Sequence, residues 1–110
     1  MKPMGICAQL LAIGLAAAVG TAAEAAEITV TMAGGMFSPP TVKASRGDII
    51  RFVNDDAQAH NIFVPTKGFS VDLGKQDPGK VTTLPVAKAG NFAVECVIKQ
   101  GMTMTVEVNP

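Results

Sequence analysis

The chain has no tryptophan, no tyrosine and a single histidine, His60, in 110 residues. Five phenylalanines are its only aromatic residues, so it offers no aromatic platform for sugars or bases. Charge is sparse and balanced: nine basic residues face nine acidic ones, without a run of either sign. That balance excludes the basic footprint that nucleic acids or anionic membrane surfaces require. There are two cysteines, Cys7 and Cys96. Apolar runs are short, and after residue 25 no helical period of useful length occurs.

What is present begins with a leader. Lys2 supplies a positive start, and Ile6 to Val19 is apolar apart from Gln9 and small residues. Ala23-Glu24-Ala25 then sets small residues at the positions a signal peptidase reads. The run is shorter and richer in alanine than the roughly 20 apolar residues of a spanning helix. Residues 1–25 therefore read as a signal peptide, and the chain is expected to be exported to the periplasm. The 85 residues from Ala26 to Pro110 form one small domain, expected to be a monomer. Removing Lys2 and Glu24 leaves the charge balanced, and removing Cys7 leaves Cys96 alone in an oxidising compartment. An intermolecular disulfide, a buried inert thiol and a metal thiolate are all open readings of that residue.

The mature part is a succession of short alternating runs separated by turn residues. Ile28, Val30 and Met32 share one face of the first run, and Ile50 and Phe52 one face of Asp48–Asn54. Later runs place His60, Ile62 and Val64 in phase, then Phe92, Val94 and Cys96, then Met102, Met104, Val106 and Val108. Pro39-Pro40 and Pro85 mark edges. Asn54 to Ala59 reads as a polar loop in which Asp55 and Asp56 have no partners for a hard-cation site. Pro65 to Pro78 reads as a long connection with a turn of helix near Val71–Leu73. About seven strands in this length predict an all-β, two-sheet antiparallel sandwich with Greek-key connections.

These phases carry a geometric implication. Cys96 ends the inward face of the penultimate strand and Met102 begins that of the last, with only Val97 to Gly101 between them. His60 opens its strand directly after a loop. Imidazole, thiolate and thioether at one pole of a sandwich form a soft donor set suited to copper. Plainer readings exist for each: a strand-start histidine bonded to backbone, an inert thiol, and methionines that only fill core. A Cys96–His60 nucleophile–base pair is a third possibility, without a legible oxyanion motif.

A family resemblance covers essentially the whole mature chain. Phe37-Ser38-Pro39, the Arg46-Gly47-Asp48 turn, Asn54 and His60-Asn61 resemble the N-terminal half of the cupredoxins, the small blue-copper proteins that include plastocyanin, pseudoazurin and amicyanin. Cys96-Val-Ile-Lys-Gln-Gly-Met102 resembles their Cys-x-x-His-x-x-Met loop, and Asp72 to Lys80 is similar to the methylamine-utilisation type. The resemblance implies that His60, Cys96 and Met102 are metal ligands and that Asn61 ties the ligand loops together. The departure is Lys99, which stands where the family has its second histidine.

Removing the proton of an ordinary lysine at pH 7 costs about 4.6 kcal/mol, so Lys99 is expected at the rim as a cation favouring the thiolate, not as a ligand. Three soft donors suit one copper ion in the Cu(I) form better than Cu(II). The implied role is electron transfer or periplasmic copper handling, with a redox partner or a copper donor or acceptor protein. In the family the missing histidine is the ligand through which electrons leave. The competing expectation is a copper-free scaffold that binds a protein partner at the same pole.

Overall fold

Residues 25–110 are described in a computed structural model; residues 1–24, and with them nearly all of the expected signal peptide 1–25, lie outside the described residues. Among the described residues there are nine strands, and no helix is long and apolar enough to cross a membrane. They are β1 (Glu27–Ala33), β2 (Met36–Ser38), β3 (Thr41–Ser45), β4 (Ile49–Asn54), β5 (His60–Val64), β6 (Val71–Gln76), β7 (Val81–Pro85), β8 (Gly90–Glu95) and β9 (Thr103–Asn109). One sheet has the order β2-β1-β4-β7 and the other β3-β9-β8-β5-β6, which is the two-sheet sandwich expected. Neighbouring strands are mostly antiparallel; β1 with β4 and β3 with β9 run parallel.

The core lies between the sheets and follows the period-2 phases of the sequence. Val30, Met32, Ile50 and Phe52 from one sheet are fully buried, as are Ile62, Val64, Val94 and Val106 from the other. Each such side chain contributes roughly 1.5–3 kcal/mol by leaving water. Phe37 meets Phe52 edge to face, with ring centroids 6.1 Å apart. Pro85 sits on β7, an edge strand, where a missing N–H costs least.

The count exceeds seven because two short edge elements pair after all. Met36–Ser38 folds back on β1 across Gly34-Gly35 as β2. Val71–Leu73, expected as a turn of helix, is instead the start of β6, paired with β5. Val71 and Leu73 pack against the core while Asp72 faces out, an alternation too short to read in a segment rich in glycine and lysine. Leu73 is left unpaired between Asp72 and Gly74, and Gly74 takes φ +79° to make this bulge. β5 begins, β8 ends and β9 begins at the same pole, so the topology gathers His60, Cys96 and Met102 at one end of the sandwich.

Candidate metal centre

His60 is buried at the first position of β5, held there by main-chain pairing with Gln76. Its Nδ1 lies 3.7 Å from Sγ of Cys96, which is 3% exposed. The other ring nitrogen, Nε2, is 2.9 Å from Oδ2 of Asp56. With Asp56 ionised the carboxylate only accepts, so in a neutral imidazole the proton resides on Nε2 and Nδ1 turns its lone pair toward the sulfur.

The sulfur is itself an acceptor. It receives the backbone N–H of Asn61 at 3.3 Å and of Lys99 at 3.4 Å. Two donors aimed at one sulfur suit an electron-rich thiolate. Asn61 also holds the loop through its side chain, whose Oδ1 accepts Val97 N–H at 2.6 Å and Ile98 N–H at 3.3 Å. Within the loop, Cys96 N–H donates to the Met102 carbonyl and Met102 N–H to the Lys99 carbonyl, with Gly101 at φ +84° making the reversal. Met102 is 3% exposed. The loop is thus closed on itself and pinned to β5.

Lys99 is exposed. Its stem is laid across the β1–β2 turn: a Cβ placed on Gly35 would come within 2.7 Å of Lys99 Cε. Met36, which opens β2 after that turn, and Val97 and Ile98 of the loop are exposed apolar residues. An open cavity of about 460 Å³ borders the loop and is lined in part by Cys96, Gln100 and Met102.

Asp56 is the residue that sequence reasoning passed over as plain loop. Its Oδ2 takes the N–H of Gly35 as well as the His60 ring, and its Oδ1 takes Ala57 N–H. The bond from His60, and after it those from Gly35 and Ala57, hold this carboxyl below its ordinary pKa. Asn54, fully buried, shapes the loop: its Oδ1 accepts Asp56 N–H, and its Nδ2 donates to the carbonyls of Gln58 and Gln76. Gln76, also buried, is held by Thr82 through its side-chain oxygen. The one legible signal was spacing, Asp56 four residues before the sole histidine, which in a loop fixes no geometry.

The pair fits a soft metal ion. Imidazole nitrogen at about 2.05 Å and thiolate sulfur at about 2.3 Å from a zinc-sized ion, at roughly 120°, lie about 3.8 Å apart. The observed 3.7 Å is close to that. Among the described residues no three His, Cys, Asp or Glu side chains converge, so any third donor to an ion at this pair would be of another type; Met102, buried at the end of the loop, is the candidate. Burial of Cys96 also argues against its use as a nucleophile toward an external substrate.

The family of the cupredoxin-like domain matches residues 5–108. The chain belongs to that family. Among solved structures, a mutant of amicyanin in the reduced state is similar at TM-score 0.70 and 20% identity, over 76% of this chain and 82% of that one. A novel purple cupredoxin from Nitrosopumilus maritimus gives TM-score 0.67 at 17% identity, over 74% of this cupredoxin and 99% of the other. A Cu-containing nitrite reductase from Thermus scotoductus SA-01 gives 0.72 at 24%, over 89% of this chain and 26% of the enzyme. Identities this low establish the shared fold. No curated protein sequence matches.

Proposed function

We propose that this cupredoxin is an exported copper-binding protein, cleaved near Ala25, that serves periplasmic copper handling or electron transfer. One copper ion, favoured as Cu(I), would be held by His60 Nδ1, Cys96 Sγ and the Met102 thioether. The observation that carries this reading is the His60–Cys96 pair: Nδ1 faces Sγ at 3.7 Å while Nε2 is occupied by Asp56. Copper held in that position would supply a one-electron couple. The chain's own part is to keep the donors still and dry. β5, β8 and β9 bury them, Asn61 ties the loop to β5, and the two N–H groups on Sγ hold the sulfur in one place.

Lys99 in place of a second histidine leaves fewer nitrogen donors, which favours Cu(I) over Cu(II). It also puts an exposed cation where an electron-conducting imidazole would stand, so copper handling is the better supported of the two roles. The test is anaerobic Cu(I) titration against a chromophoric chelator. One tight equivalent, lost on Cys96→Ala, is the expected result, and failure to retain copper against a weak chelator overturns it.

The second reading, a copper-free scaffold that docks a protein, draws on exposed Met36, Val97 and Ile98 around the pole. It requires that His60→Ala and Cys96→Ala leave partner binding unchanged.

A further inference from the structure

Asp56 is not a donor of the centre, yet its side chain is closely held beside it. Three N–H groups converge on its carboxylate from three separate places: Gly35 at 3.0 Å in the β1–β2 turn, Ala57 at 2.8 Å in its own loop, and the His60 ring at 2.9 Å. Its main chain is fixed too, because Asp56 N–H is captured by Asn54 Oδ1 at 3.0 Å. The amide of Asn54 in turn spans from Gln58 to Gln76.

The consequence falls on the imidazole. A carboxylate bonded to ring N–H makes a charge-assisted hydrogen bond, roughly twice as strong as a neutral one. His60 cannot exchange its two nitrogens, or move its proton to Nδ1, without giving that bond up. Resting on the metal-site reading above, we propose that Asp56 is the positioning residue of the centre: it retains the proton on Nε2 and so presents the Nδ1 lone pair toward Cys96 before any metal arrives. The sandwich supplies the burial of His60, and Asp56 supplies its orientation. Asn54 and Gly35 act one step further out, by holding Asp56.

Because His60 is the only histidine, its ring signals are unambiguous in long-range proton–nitrogen NMR spectra. Under conditions where the imidazole is neutral, the metal-free wild type is expected to show the Nε2–H tautomer. Asp56→Ala is expected to give a mixture of tautomers and a Cu(I) affinity lower by about 10- to 100-fold, the usual effect of losing an outer-shell partner. Asp56→Asn keeps an acceptor oxygen and is expected to recover most of the tautomer preference. A purely structural role would lower the melting temperature of Asp56→Ala while leaving tautomer and affinity alone. A folded Asp56→Ala protein with wild-type tautomer and affinity within about twofold overturns the proposal. Should that variant not fold, an Nδ1–H tautomer in the metal-free wild type overturns it equally. Absence of copper binding by the wild type would overturn the function proposed above, and the tautomer measurement reads the role of Asp56 without metal.

Discussion

Asn61 grips Cys96 with its main chain and the residues after Cys96 with its side chain. Its N–H is 3.3 Å from Sγ, and its Oδ1 is 2.6 Å from Val97 N and 3.3 Å from Ile98 N. One buried residue at the start of β5 therefore fixes both the sulfur and the direction in which the loop leaves β8. Asn61→Ala keeps the N–H to Sγ and removes the loop bonds, and is expected to cost about 1–3 kcal/mol. Urea unfolding of the metal-free protein measures that loss. Cu(I) transfer to a chelator should become faster in the same variant; an unchanged rate would show that the loop is held by other means.

By its place in the Cys96–Met102 loop, Lys99 is expected to stand where the cupredoxin resemblance puts a second histidine, and its stem lies over Gly35. The surrounding loop, closed by the Cys96–Met102 and Met102–Lys99 backbone bonds, does not depend on the lysine side chain. Lys99→His is therefore expected to fold as the wild type does and, loaded with Cu(II), to show a strong visible thiolate-to-copper band that the wild type lacks. Absorption spectroscopy decides it. A colourless Lys99→His protein would mean that the pole no longer supports the family's nitrogen–sulfur plane.

Much of this architecture was legible because strands buried on one face write their phase into the sequence. Val30 with Met32, Ile50 with Phe52, and Phe92 with Val94 and Cys96 are inward in the structure as the alternation required. That phase, together with the short loop from Cys96 to Met102, also placed His60, Cys96 and Met102 at one pole. Two features were not legible, and for different reasons. β6 hides behind a bulge, since Leu73 and the positive φ of Gly74 break the period that would have announced it. Asp56 finds His60 only because Asn54 folds the intervening loop back with three side-chain bonds. Loop geometry of that kind depends on partners distant in sequence, such as the Gln76 carbonyl, and leaves no periodic trace.

Gly35 connects the two halves of the centre. Its N–H binds Asp56, its φ is +72°, and the Lys99 stem packs where a side chain would begin. Gly35→Ala meets two penalties of different size. The left-handed backbone costs about 1–2 kcal/mol for a residue with a Cβ. The close atom is the far end of a flexible lysine, which can swing away at little cost. The variant is thus expected to lose about 1–2 kcal/mol, and Lys99→Ala should recover only a small part of it. A thermal-denaturation double-mutant cycle measures the coupling; recovery of most of the loss would make the lysine contact, not the backbone, the main source of the destabilisation.

Asp48 contributes to the acid limb of stability. Its Oδ2 accepts Ser45 N–H at 2.8 Å and its Oδ1 accepts Ala26 N–H at 3.0 Å, closing the β3–β4 turn and anchoring the approach to β1. The Ser45 bond first, then the Ala26 bond, lowers its pKa below the ordinary value. A carboxyl whose pKa is lower folded than unfolded stabilises the fold above the unfolded value of about 3.9, and that contribution disappears as pH falls through the folded value. Asp56 is shifted in the same direction and adds to the trend. The melting temperature is therefore expected to hold steady above about pH 5 and to fall below about pH 4. Asp48→Asn should lower it at pH 7 and flatten the drop at acid pH. If cleavage leaves Ala26 as the first residue, its ammonium meets Asp48 directly, and acetylating that amine should reproduce part of the loss at pH 7. Equal slopes below pH 4 in wild type and Asp48→Asn would remove Asp48 as the source of the acid sensitivity.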